Sequence, residues 1–130
     1  MKAIIDGIYT AFAANSTLVA AMTNGLFHYE APQDTALPYG VMFIVSDVPQ
    51  LTFTEEGENY LVQFNVFSDT RSHTEILDIE SKMKTVFDLA EITVSGYNHI
   101  YMLRTMSTVF RVENEWQLTM TYRCEIQKSR

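Results

Sequence analysis

Cysteine is almost absent from this sequence of 130 residues, which contains only Cys124. One thiol cannot form an internal disulfide, and no Cys-x-x-Cys pair is present to bind zinc, so the sequence favours a reducing cytoplasm. No apolar run approaches the length of a membrane-spanning helix, and Asp6 interrupts the first one. We therefore expect a soluble chain that is not exported and has no membrane partner.

Glycine and basic residues are also scarce. The five glycines form no Gly-x-Gly-x-x-Gly or P-loop pattern, so nothing in the sequence predicts nucleotide binding. Nine Lys and Arg residues stand against 16 Asp and Glu residues, which gives a net charge of −7. Because no basic cluster could displace the counterions of DNA, we expect no direct nucleic-acid ligand.

Residues that could carry catalytic chemistry are few and scattered. The histidines His28, His73 and His99 lie far apart, and only His73 has a second possible ligand nearby, Glu75. Because Glu75 falls in the first turn of a predicted helix, where it has a capping role, the pair is a poor metal site. Cys124 lies among apolar residues of a predicted strand and lacks a nearby base. The sequence predicts no catalytic residue, no metal and no cofactor.

The sequence does contain enough apolar material for one folded domain, over residues 1–130. Its hydrophobic share is 47%, which is typical of a globular protein with a core of its own. The first segment, Lys2–Ala14, has the periodicity of an amphipathic helix. Asn15 and Ser16 then offer an N-cap to a short second helix, which we expect to stop at Asn24-Gly25.

The middle of the chain predicts a β-hairpin. An apolar, β-branched run at Tyr39–Val45 is typical of a buried strand, and Pro49 is expected to limit its extent. A carboxylate-rich turn at Glu55–Glu58 is then expected to join Leu51–Thr54 to a second strand, in which apolar and polar residues alternate over Tyr60–Phe67.

The C-terminal half predicts one helix and two long antiparallel strands. A helix from Ser72 to Ala90 is expected to begin with the capping box Ser72-His73-Thr74-Glu75 and to pack one apolar stripe on a sheet. Of the strands that follow, Trp116–Gln127 alternates strictly between apolar and polar residues, whereas Ile100–Val112 breaks its alternation in a way that predicts a bulge. The predicted class is therefore α+β, with a mainly antiparallel sheet of about four strands and helices packed on one face.

Several short strings in this order resemble the bacteriophage tail completion and tail terminator proteins. The similarity spans nearly the whole chain and rests on local patterns that belong to a fold, none of which is a catalytic signature. The strings are Ile8–Phe12, Leu18–Ala20, Ala31–Gln33, Leu37–Tyr39, Val62–Asp69 and Trp116–Arg123.

This resemblance implies a structural protein that is not an enzyme. Such a subunit assembles with copies of itself as a ring, commonly a hexamer, on the end of a phage tail tube. There it stops the growth of the tube and contacts the head connector. The expected partners are therefore further copies, the tail tube protein and the head–tail connector protein. The expected location is the virion tail, reached from the bacterial host cytoplasm during assembly.

Two parts of the chain are candidates for these contacts. In a ring, one surface of each copy binds a different surface of the next copy, and exposed strands or hairpins often supply such surfaces. One is the predicted hairpin tip, and the other is the polar face of the last strand. The candidate contact residues are Thr52, Thr54, Glu55, Glu56, Glu58, Gln117, Thr119, Thr121 and Arg123. A further hypothesis places the three carboxylates in the lumen of the ring, where they would repel DNA phosphates; ordinary solubility charge is the simpler explanation of them.

Two other functions stay open. A neck or head-completion connector would share this size and acidity, and the partner that the chain binds would distinguish it. A small ligand-binding or enzymatic domain would instead enclose a pocket, lined by Tyr39, Trp116 and Tyr122, between the sheet and the helix.

Overall fold

The computed structural model describes residues 2–51 and 55–129, which form three helices and five strands. The helices come early and in the middle of the chain, and the two longest strands come last. In chain order the elements are α1 (Lys2–Ala14), α2 (Ser16–Ala21), β1 (Leu26–His28), β2 (Tyr39–Leu51), β3 (Glu55–Ser68), α3 (Thr74–Phe87), β4 (Asn98–Val112) and β5 (Glu115–Ser129).

The five strands form one mixed sheet in the order β1-β2-β3-β5-β4. The pairs β2/β3, β3/β5 and β5/β4 are antiparallel, as predicted, whereas β1 runs parallel to β2. The α+β class is therefore confirmed, but the expectation of about four antiparallel strands misses β1. This strand has three residues and follows Gly25, whose positive φ turns the chain after α2. Three residues are too few to produce a periodic signal.

The hairpin boundaries differ from the prediction. Pro49 does not limit its strand, because β2 runs through it to Leu51. A proline is tolerated there because β1 covers β2 only at Gly40–Met42, which leaves the rest of β2 as an edge strand. The predicted turn at Glu55–Glu58 is also wrong, since Glu55 already begins β3 and the whole range pairs with β5. Of the predicted strand Leu51–Thr54, only Leu51 falls within the described residues.

All three helices pack on the same side of the sheet. Their buried residues belong to a single apolar cluster with the inward-facing residues of β2, β3 and β5. From α3 the cluster receives Ile76, Ile79, Met83 and Phe87, as the periodicity predicts. We call this side of the sheet the helical face and the other side the open face.

The start of α3 differs from the predicted capping box. The helix begins at Thr74, whose backbone N–H donates to Ser72 Oγ at 3.1 Å. The Glu75 carboxylate instead accepts a hydrogen bond from Ser68 Oγ at 2.6 Å. Ser68 is fully buried at the end of β3, so its hydroxyl requires a partner inside the protein. Glu75 therefore bonds to Ser68 instead of to the backbone at the start of α3.

The last two strands follow the sequence pattern closely. Apolar residues of β5 from Leu118 to Ile126 lie on the helical face, and the polar residues between them lie on the open face. The predicted bulge in β4 is confirmed, because the register with β5 shifts between Arg104 and Met106. The shift returns Val109 to the helical face, where it packs against the core.

A close approach at Gly7 fixes α1 to the segment that precedes β4. A Cβ atom at this position would lie 2.6 Å from the carbonyl oxygen of Thr93 and 2.9 Å from Cγ2 of Ile92. Gly7 is itself buried in the middle of the helix, where glycine is normally unfavourable. Close packing against backbone therefore explains the glycine.

We expect Gly7→Ala to lower the free energy of unfolding by about 1–2 kcal/mol, because overpacking outweighs the gain in helix propensity. Denaturant unfolding measures the difference. Ser81→Ala, at an exposed position of α3, is the control and should change stability by less than about 0.5 kcal/mol. A stabilised Gly7→Ala variant would contradict this packing.

Candidate interaction surfaces

The open face carries a ladder of neutral polar side chains across its centre. Gln63 Nε2 donates to Asn65 Oδ1 at 3.0 Å, and Thr119 Oγ1 donates to the same oxygen at 3.2 Å. Beside them, the hydroxyls of Thr105 and Thr121 lie 2.6 Å apart. Because these groups satisfy one another along the strands, they form an ordered, uncharged patch at the centre of this face.

Arg123 is a charged exception on this face. It borders a depression of about 100 Å³ that is also lined by Ser46, Val48, Asn59 and Leu61. The residue is exposed and lies beside Leu103 in the register of β4 with β5. A guanidinium in a shallow, mostly neutral surface is accessible to a partner group.

Two of the carboxylates predicted at the hairpin tip, Glu56 and Glu58, lie on the helical face of the sheet. Glu58 shares this face with Tyr60, whose side chain is buried in the core. A hydrogen bond with Asp47 raises the pKa of Glu58, and burial adds to the effect. Glu56 pairs with Lys128 at 3.5 Å. Glu58 therefore holds a proton more readily than an isolated glutamate would.

The structure does not bring the predicted contact residues together. Gln117, Thr119, Thr121 and Arg123 lie on the open face, whereas Glu56 and Glu58 lie on the helical face. The two groups are therefore separate surfaces. Thr52 and Thr54 lie outside the described residues, and for Glu55 only the backbone is described.

A second polar cluster, which the sequence analysis missed, connects the end of α3 to the sheet. Tyr122 Oη donates to Asp88 Oδ1 at 2.7 Å, and Arg104 Nε lies 3.1 Å from both oxygens of the same carboxylate. Burial and this hydrogen bond raise the pKa of Tyr122. The phenol thus stays protonated and donating at physiological pH, as a structural anchor requires.

The neighbouring turn of α3 is anchored in the same way. Ser107 of β4 donates to Glu80, and Lys84 forms an ion pair with that carboxylate at 3.3 Å. Burial raises the pKa of Glu80, but the hydrogen bonds from Ser107 and Lys84 together lower it by more than burial raises it. The net shift of the pKa is therefore downward. These contacts hold the bulged strand β4 against α3.

None of the predicted chemical groups forms a reactive centre within the described residues. His28 is exposed and packs edge-on against Tyr29, and His73 packs against Trp116; the side chain of His99 is not described. Burial raises the pKa of the Cys124 thiol to about 12, which leaves almost no thiolate. In the described part of the chain, no group of three potential ligands could hold a metal ion, and no helix is long and apolar enough to cross a membrane.

The pocket expected for a ligand-binding domain is not formed by the residues named for it. Tyr122 is fully buried in the core, and Tyr39 lies opposite Phe67 on the open face. Trp116 lies opposite Ser68 on the helical face at the end of the sheet. Because these three aromatic residues are divided between two faces, they line no common cavity.

We expect Glu58→Gln to stabilise the protein at pH 7. The raised pKa of Glu58 means that the folded state binds a proton more tightly than the unfolded state. The stability that this proton contributes is therefore full below about pH 4.5 and is lost as the pH rises through the pKa of the folded state. The amide keeps a hydrogen-bond donor for Asp47 and removes the repulsion, which should raise Tm by about 2 °C at pH 7 and flatten its dependence on pH.

Thermal unfolding at several pH values measures this effect. Glu91→Gln, which removes an equal charge at an exposed site away from the pair, is the matched control. An equal shift in both variants would indicate a general effect of net charge and would exclude coupling between Asp47 and Glu58.

The chain has the fold of a protein in the virion of a native gene transfer agent (GTA) particle. The two are 14% identical with a TM-score of 0.77, over 92% of this chain and 91% of that one. A second solved chain is 11% identical with a TM-score of 0.57, over 93% of this chain and 94% of its own length. No protein-family model and no curated protein matches the sequence. At these identities the likeness shows a common fold over nearly the whole length of each chain.

Proposed function

We propose that this chain is a structural subunit of a phage or phage-like virion and carries out no catalysis. The observation that carries the proposal is the fold that it shares, over nearly its whole length, with a chain of the gene transfer agent virion. The resemblance of its sequence strings to tail completion and tail terminator proteins points to the same class of particle. In this proposal the chain is located in the virion, after synthesis in the host cytoplasm.

Within that class, the chain is a tail terminator or tail completion subunit. It forms a ring, with six copies as the resemblance implies, on the end of the tail tube and joins the tube to the head connector. The open face supports this role because it carries no helix and its polar side chains hydrogen-bond to one another, as in the contacts among Gln63, Asn65 and Thr119. A surface of this kind suits extended contact between proteins better than it suits enclosure of a small ligand.

The charge distribution refines the hypothesis of a DNA-repelling lumen. Glu56 and Glu58 point away from the open face, so a ring that lines its channel with that face turns these two carboxylates elsewhere. DNA would then pass mainly over amides and hydroxyls, which offer few charges to hold a phosphate. Solubility and contacts at the tip of the hairpin remain the roles for the acidic group.

Labelled protein added to the tail tube protein of the same phage should bind at one end of each tube and limit tube length. Electron microscopy with a gold label on the chain measures both the position and the length. Binding along the tube wall, or no binding, would contradict the proposal. Binding to the portal or adaptor in place of the tube would support the neck alternative.

A pair of variants tests the contribution of the open face. Thr119→Arg adds a bulky charge at the centre of the hydrogen-bonded ladder, whereas Ser81→Arg adds the same group to the exposed side of α3. The first should abolish end binding, and the second should retain it, with equal unfolding transitions for the two folded variants.

A further inference from the structure

Strand β4 carries a stripe of exposed apolar side chains on the open face of the sheet. The four side chains are 39–51% exposed and belong to Leu103, Met106, Phe110 and Val112. In the described part of the chain all three helices pack on the other side of the sheet, so no helix covers the stripe. An apolar stripe of this kind marks a surface that packs against another protein.

Two opposite charges lie at the ends of this stripe, on the neighbouring strand β5. Arg123 lies opposite Leu103, and Glu115 lies opposite Val112, so both charged side chains belong to the open face. Both are exposed, and within the described residues neither forms an ion pair. Only neutral side chains lie between them on this face of β5. This part of the face therefore has one positive end and one negative end.

Two copies that stack by their open faces can pair both charges at once. A two-fold axis that runs across the strands, through the row of Thr108 and Thr119, turns the second copy end to end. Arg123 and Glu115 lie four residues to either side of Thr119, so each arginine then faces the glutamate of the other copy. A two-fold axis along β5 would instead place the two copies of Arg123 against each other, where like charges repel. Charge therefore favours the axis across the strands.

The same axis brings the apolar stripes of the two copies together. Met106 and Phe110 lie one row to either side of Thr108, so Met106 of one copy meets Phe110 of the other. Leu103 and Val112 lie two rows to either side and meet in the same way. Each large side chain of the stripe thus has an apolar partner in the second copy.

A second carboxylate on the open face, Glu125, offers a different pairing that covers less of the stripe. To place Arg123 against Glu125 of the second copy, the axis must move to Cys124. The strand β5 of the second copy ends at Ser129, so Phe110 and Val112 would then extend beyond it. Burial of the whole stripe therefore selects Glu115 as the partner of Arg123.

The overlap is large enough for a specific dimer. The nine residues of β5 from Glu115 to Arg123 span about 30 Å, and the four long strands together are about 19 Å wide. Each copy would bury about 600 Å² of surface, or about 1,200 Å² for the pair, which is at the lower end of the range for specific interfaces. Such an area suits a dimer that can dissociate.

We propose that two copies of the free chain form a two-fold dimer by stacking their open faces, with Arg123 of each copy against Glu115 of the other. The two sheets then pack face to face, and the row of Thr108 and Thr119 lies at the axis. This dimer covers the face that the proposed function assigns to the tail tube. It is therefore the state of the subunit before it reaches the tube, and it dissociates when the subunit binds there. The inference goes beyond the proposed ring.

Charge reversal tests the pairing of Arg123 with Glu115. In sedimentation equilibrium the chain should associate, with rising concentration, from its mass of 14.9 kDa to twice that mass and no further. Arg123→Glu and Glu115→Arg should each raise the dissociation constant of the dimer about tenfold or more, because each replaces two ion pairs with two contacts between like charges. The double variant R123E/E115R exchanges the charges and should restore the dimer.

Arg71→Glu is the matched control, because it changes the net charge as Arg123→Glu does, at an exposed position in the segment before α3. It should leave the dissociation constant within about twofold, since exposed charges far from an interface contribute little. Equal weakening in this control would overturn the proposal. A monomer at every concentration, or a double variant that stays dissociated, would overturn it as well.

Cross-linking tests the position of the axis. Because Thr108 lies on the proposed axis, a short bismaleimide should join two copies of the Thr108→Cys variant, and the products should stop at two chains. The natural Cys124 is buried, and Ser81→Cys, at an exposed position of α3, is the control that should stay unlinked. Equal linking in both variants, or no link in either, would overturn the proposed axis.

The dimer and the proposed function can fail separately. A chain that is monomeric at every concentration but binds tube ends would reject the dimer alone. A chain that forms the dimer, with the expected response to charge reversal, but does not bind tube ends would reject the terminator function alone.

Discussion

The rest of the structure depends on the burial of only one face of the sheet. All three helices and the segment before β4 contribute to one apolar cluster on the helical face. Because apolar and polar residues alternate along β5, every second side chain of this strand lies on the open face. The chain thus supplies its own core on one side of the sheet and leaves a strand surface without helices on the other. This arrangement suits a subunit that completes its structure through assembly.

The polar anchors of α3 keep that strand surface in place. Arg104 and Ser107 belong to the same edge strand, and each bonds to a carboxylate of α3 or its C-terminal end. Because the anchors hold β4 against the helix on both sides of its bulge, the strand is ordered before any partner arrives. Ordering in advance lowers the entropic cost of association.

Periodicity explains why much of this fold could be predicted. The alternation of β5, the apolar stripe of α3 and the bulge in β4 all follow from residues that are close in sequence. The polar cluster of Tyr122, Asp88 and Arg104 could not be predicted, because its members come from separate elements and carry no local pattern. The expected turn at Glu55–Glu58 was wrong because a run of carboxylates carries no local sign that it continues a strand, in which Glu56 and Glu58 lie on the same face.

Amide hydrogen exchange of the assembled and dissociated protein measures the central claim most directly. The account predicts that backbone amides of the sheet strands gain protection on assembly, while those of α3 keep the protection they have in the dissociated chain. Protection gained on the helices, with the strands unchanged, would show that copies meet through the helical layer and would contradict the account.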